Sequence, residues 1–296
     1  MPYAALLALL LALPACAQSG KPPGTPDPRA RRADSAVVRN AKPGLAADTS
    51  LTVRSVRVRI GQTPVELRIT ERPCPGGPTA CWSAVSVHDD ENTAVEAALA
   101  VIARRGGRLV EVRHTGARNL AFTAGGEAFT VDPNRIFTDA GRARTLAALS
   151  RDTPAARAAV AAFADTLRAV YGAPSVVVTL HNNTEGTYSS ASYLPGGDEA
   201  REAADVHVAQ GTDPDDFVFA TTRALFDAAA ASGVNAVLQD NAAMTDDGSL
   251  SVWAAQNGRP YLNVEAQHGH LAENVRMVEA LPAWLGAAVG GPIGGP

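Results

Sequence analysis

Apolar and polar residues alternate from Leu51 to Ile60 and again from Val65 to Ile69, the period of half-exposed strands, and Gly61 between them predicts a hairpin. The period then changes. A short apolar run at Trp82–Val87 reads as a strand, and Thr93–Arg105 has helical spacing and stops at Gly106-Gly107, as a helix C-terminus does. The alternation continues as helix 155–171, strand 175–180, helix 216–232, strand 234–238, helix 249–257, strand 260–264 and a last helix from about Leu271. Strands feeding helices in this order predict an α/β domain with a mostly parallel or mixed central sheet, flanked by helices and opened by the N-terminal β-hairpin.

The pattern also divides the chain. Ala4–Ala15 is apolar but shorter than the roughly 20 residues that span a bilayer, so it reads as a targeting segment. It ends in Leu13-Pro14-Ala15-Cys16, which resembles a bacterial lipobox, with Cys16 as the lipidated residue of the mature chain; an ordinary secretory signal is the other reading. Residues 16–50 are rich in Pro, Gly, Ala and Arg without a sustained apolar period and read as a linker. Residues 51–286 form the expected folded domain, and 287–296 a Gly/Pro-rich tail. Export and a lipid anchor place the domain on the periplasmic face of the envelope, at the outer membrane because Ala17 gives no inner-membrane retention signal. Cys74 and Cys81 bracket a turn-forming Pro-Gly-Gly-Pro-Thr-Ala stretch, and in an exported chain a disulfide between them is the natural expectation.

Composition narrows the function without naming it. Hydrophobic residues make up 46% and charged residues 19%, enough for a sizeable core, and 26 basic against 30 acidic residues leave a net charge of −4. With no basic stripe, a nucleic-acid partner is excluded. Ionisable residues recur at strand ends: His88, His181 and Glu265 each follow an apolar run, where open α/β sheets present ligands. His88 and Glu91 lie three apart at a strand-to-helix junction and, with the distant His181, make a two-His, one-carboxylate set that leaves the fourth position of a zinc ion open for water.

Val131-Asp132-Pro133-Asn134-Arg135-Ile136-Phe137 resembles the Asp-x-Asn-Arg-x-Phe motif of the zinc carboxypeptidase superfamily. The order His88, Glu91, Asn134, Arg135, His181, Glu265 is also that superfamily's order, and its compact spacing is closest to the succinylglutamate desuccinylase and aspartoacylase branch. The resemblance implies a carboxypeptidase-like fold and zinc held by His88, Glu91 and His181. It implies Asn134 and Arg135 as binders of a substrate carboxylate and Glu265 as the catalytic glutamate. The activity implied is cleavage of an amide near a free carboxylate, in a peptide or an N-acyl amino acid; the alternative is a non-catalytic envelope lipoprotein that binds peptides or cell-wall fragments. Several residues depart from the pattern or fall outside it. Asp89 and Asp90 replace small residues and bring negative charge toward the metal; Arg113 and Arg118 compete for the role of the carbonyl-polarising arginine. His268 and His270 are expected at a helix start or behind the ligands and not as ligands themselves, Arg135 has Asp132 or Asp139 as an alternative ion-pair partner, and Tyr188 and Tyr193 fall in a long polar stretch, 182–215, able to cover substrate or merely anchored as loop tyrosines often are.

Overall fold

The hairpin forms where the alternation places it, with β1 (Thr52–Ile60) antiparallel to β2 (Thr63–Arg72) in the computed structural model, which describes residues 51–75 and 82–290. Gly61 is required at the turn. Its φ is +55°, and a Cβ there would sit 2.3 Å from the carbonyl oxygen of Thr123. The chain continues through β3 (Ser83–Ser86), α1 (Asn92–Arg105), β4 (Gly107–Arg113), the hairpin β5 (Leu120–Ala124) and β6 (Glu127–Val131), α2 (Asp139–Leu149), α3 (Pro154–Tyr171) and β7 (Val177–Asn183). After two short 3₁₀ turns come β8 (Ala203–His207), β9 (Phe217–Ala220), α4 (Arg223–Ala231), β10 (Asn235–Gln239), α5 (Leu250–Gln256), β11 (Tyr261–Gln267) and α6 (Leu271–Gly290).

Nine strands make one sheet in the order β1-β2-β4-β3-β7-β11-β9-β10-β8. It is mixed: its centre, β4-β3-β7-β11, is parallel, β11 meets β9 antiparallel, and both ends close with antiparallel pairs. Each face carries a core. On one, Ala94, Ala97, Ala98 and Val101 of α1 pack in one cluster with Leu180 and Leu262 of the sheet, Leu225 and Phe226 of α4 and Trp284 of α6. On the other, Phe163 and Leu167 of α3 and Leu146 of α2 cover Leu67, Val85 and Val112, together with the β5–β6 hairpin. Helices thus flank the sheet as expected, since a sheet buried on both faces needs apolar cover on both.

Three expectations are corrected. The helix expected over 216–232 is only α4; its first part, Phe-Val-Phe-Ala, is strand β9 and fully buried in the sheet. A four-residue apolar run fits either element, and here the sheet claims it. The strands expected over 175–180 and 260–264 continue to Asn183 and Gln267, so His181 and Glu265 stand within strands and not after them. The stretch 182–215 is not one long loop but contains β8 and both 3₁₀ turns. No helix among the described residues is long and apolar enough to cross a membrane. Cys16, Cys81 and the linker lie outside the described residues.

Candidate metal centre and its cleft

Three elements of the central sheet converge on one point. The turn after β3 supplies His88, and Glu91 stands at the N-cap of α1, where its side chain makes no capping bond and is free to face the sheet. His181 comes from β7, beside β3 in the sheet. His88 Nδ1 lies 2.7 Å from Glu91 Oε1, His181 Nδ1 lies 2.8 Å from Glu91 Oε2, and the two Nδ1 atoms face each other at 3.2 Å. All three residues are buried, and their ligand atoms are close enough together to hold a metal ion. Two imidazole nitrogens and a carboxylate converging on one point fit zinc, with a position left over for water.

A fourth residue fixes the arrangement. Asp132, at the end of β6, accepts from His88 Nε2 at 2.8 Å, which leaves the lone pair of Nδ1 for an ion. Asp132 is held in turn by Asn134 N–H at 2.7 Å, and its own N–H donates to Thr145 Oγ1 of α2. Asp132, expected with Asp139 as an alternative ion-pair partner of Arg135, bonds His88 instead. Its place in the Asp-x-Asn-Arg motif was the available signal.

Charge follows the geometry. Burial works against the His88 cation, but Glu91 and Asp132 outweigh it and push the imidazole up to about 9. Burial opposes ionisation of Glu91 and Asp132 too, yet the histidines hold both carboxyls well below the usual range. His181 is lowered by burial, against the pull of Glu91. Glu265, on β11, sits directly opposite His181 in the parallel register. It is 4% exposed, accepts from Asn263 Nδ2 at 2.8 Å, and is pushed up to about 8 by burial and by the charge of Glu91.

Glu91, His181 and Glu265 share a cleft of about 710 Å³ with Arg118, Asn134 and Arg135. Asn134 Nδ2 lies 3.4 Å from His181 Nε2, and Arg135 pairs with Asp247 at 3.2 Å, neither Asp132 nor Asp139 being its partner. Gly248 keeps the Asp247 loop against this wall: its φ is +84°, and a Cβ would lie 2.5 Å from Gly141 Cα and 2.6 Å from Arg135 O. Of the two candidate arginines, Arg118 lines the cleft, with Nη1 2.8 Å from Glu91 Oε1. Arg113 turns away to Asp89 and Glu111. Asp89 is likewise turned from the ligands, against expectation, whereas Asp90 lines the cleft. Tyr188 and Tyr193 also line it, but their hydroxyls bond each other at 2.5 Å and their rings pack on Phe217, so they anchor the wall. His268 reaches the cleft, while His270 bonds Asp216 at 2.9 Å just before α6, the helix-start position expected of it.

No protein-family model matches the chain, and neither does any curated protein. Among solved structures it is similar to an aspartoacylase family protein from Mesorhizobium loti, at 13% identity over 81% of this chain and 69% of that one, with a TM-score of 0.38. A murein-tripeptide amidase from Escherichia coli O157 matches at 17% identity over 73% and 87%, with a TM-score of 0.37. A metallo-carboxypeptidase from Burkholderia cenocepacia matches at 14% identity over 80% and 64%, with a TM-score of 0.39. All three are likenesses at low identity.

Proposed function

We propose that the protein is a zinc-dependent hydrolase that cleaves an amide bond near a free carboxylate, with a peptide or an N-acyl amino acid as substrate. The observation that carries this is the pairing of His181 with Glu265 on adjacent strands, which sets a buried carboxylate beside His181 in the cleft that Glu91 also lines, with His88 bonded to Glu91 behind them. His88, Glu91 and His181 would hold the ion. Zinc, when bound, lowers the pKa of its water and polarises a carbonyl. Glu265 accepts the proton of the attacking water and delivers it to the leaving nitrogen. The positive charge of an ion beside it would favour its ionised form, opposing the burial that raises it. Arg118 steadies the carbonyl oxygen as negative charge develops there, and Arg135 with Asn134 holds the substrate carboxylate, where a guanidinium offers two parallel donors. In the cell the domain works at the envelope, exported and tethered through Cys16.

The test is metal analysis of the purified domain, followed by a screen of N-acyl amino acids and short peptides for amine release, with Glu265→Gln as control. One zinc per domain and amine release by the wild type alone are expected. Zinc and ligand binding without amine release would instead establish the alternative, a non-catalytic binder of peptides or cell-wall fragments.

A further inference from the structure

Arg118 presents a problem of placement. Its side chain is 46% exposed, and it rises from the segment 114–119, which joins β4 to β5 without regular structure. A long exposed side chain on an unsupported loop has many conformations to lose, so its headgroup stays at one point only if the loop backbone is held. Among the described residues, two hydrogen bonds tie the backbone of 114–118 to the rest of the domain. Both end on one atom: Asp89 Oδ2 accepts from His114 N–H at 2.7 Å and from Gly116 N–H at 2.7 Å. The other oxygen, Oδ1, lies 3.0 Å from Arg113 Nε at the end of β4. The Asp89 side chain is 3% exposed, so the two charge-assisted bonds to Oδ2 form away from water, where they are strong.

Asp89 also follows His88 directly and precedes Glu91 by two residues. One turn therefore supplies two candidate ligands and, between them, the anchor of the loop that sets Arg118 on Glu91 at 2.8 Å. We propose that Asp89 is a positioning residue, which holds the 114–118 loop so that the Arg118 guanidinium faces the reacting carbonyl in register with the ligands. This rests on the hydrolase reading for the role of Arg118, though the anchoring does not.

The experiment is a double-mutant cycle on the zinc-loaded protein, with Asp89→Asn, Asp89→Ala and Arg118→Ala, each checked for zinc content and for folding by circular dichroism. Asp89→Ala is expected to lower kcat about 10- to 100-fold with KM within about twofold, because Arg135 and the ligands are untouched. Asp89→Asn, which keeps the shape and one acceptor, should fall between it and wild type and covers the case in which the alanine variant does not fold. In the Arg118→Ala background either change at Asp89 should alter kcat by less than about twofold. An equal loss in both backgrounds overturns the proposal, since Asp89 would then act on the ligands or the fold directly. A second arm needs no catalysis. Amide exchange at His114 and Gly116, and phenylglyoxal labelling of Arg118, should each quicken at least about fivefold in Asp89→Ala and by less in Asp89→Asn, whose amide oxygen can still accept both N–H groups, with exchange unchanged in Arg118→Ala. If wild type releases no amine, the hydrolase reading fails while this arm still decides the anchor; unchanged exchange and labelling in Asp89→Ala refute it.

Discussion

Replacing Asp132 by alanine should weaken zinc binding without touching a ligand. The carboxylate holds His88 Nε2 at 2.8 Å, and that bond turns the Nδ1 lone pair toward Glu91 and His181. Loss of such a supporting bond typically costs about 10- to 100-fold in metal affinity, or about 1.4–2.7 kcal/mol. A second effect runs the other way. In the metal-free protein, Glu91 and Asp132 overcome burial and push His88 up to about 9, so at pH 7 zinc must displace a proton at a cost of about 100-fold in affinity. Without Asp132 the pKa falls and this competition eases. The loss of affinity in Asp132→Ala should therefore be small at pH 7 and approach its full size near about pH 9.5, where wild type has shed the proton. Asp132→Asn, which keeps an acceptor for His88 and for Asn134 N–H but not the charge, should fall between. Competition against a chromophoric chelator at the two pH values measures this. Zinc affinity of Asp132→Ala within about twofold of wild type at the higher pH would refute the reasoning, because the ring would then need no carboxylate to orient it.

Other outcomes follow from the same geometry. His181→Ala should lose zinc and activity together, and full zinc occupancy in that variant would remove His181 from the ligand set. Arg135→Ala should lower turnover efficiency about 10- to 100-fold on a carboxylate substrate, the worth of a charge-assisted hydrogen bond, and leave its carboxamide counterpart unaffected; equal preference in both proteins would assign Arg135 to its pair with Asp247. Because Glu265 is pushed up to about 8, the metal-free fold holds a proton that the unfolded chain gives up at ordinary carboxyl pKa. Its contribution to stability is thus present at low pH and lost as pH rises toward 8. Urea midpoints of the metal-free wild type should fall over that window relative to Glu265→Gln, and parallel curves would contradict the shift. Cys74 and Cys81 should resist alkylation in exported protein until reductant is added, and free labelling of both without it would rule out the pair.

The legible parts of the sequence were those in which chemistry and spacing are local. His88 and Glu91 could be paired because three residues at a strand-to-helix junction bring them together, and the Asn134-Arg135 pair stood within one short motif. The strand ends were not legible for a physical reason. His181, Asn182 and Asn183 look like the start of a loop, yet all three are buried within β7. Asn182 is satisfied there by Ala94 N–H at 2.9 Å and by the carbonyl of Ala266 at 3.1 Å, partners 88 and 84 residues away. Polar residues satisfied only by distant backbone leave no trace in a local pattern. Asp132 escaped for the same reason, its histidine lying 44 residues earlier. Asp89 stands out in the sequence as a charge where the motif has a small residue, but the loop it holds is visible only in three dimensions.

The pairing of His181 with Glu265 makes the sheet a ruler. Neighbouring strands are held at a spacing set by their backbone hydrogen bonds, and a slip of one residue would turn Glu265 to the opposite face, so the distance from His181 to Glu265 cannot be tuned in small steps. The parts of the cleft that hang beyond the ruler are freer to vary, among them the 114–118 loop, the Asp247 loop and the wall that includes Tyr188, Tyr193, Glu199 and Glu202. Redesign of this cleft can therefore treat the register of β7 and β11 as constant and begin with those segments.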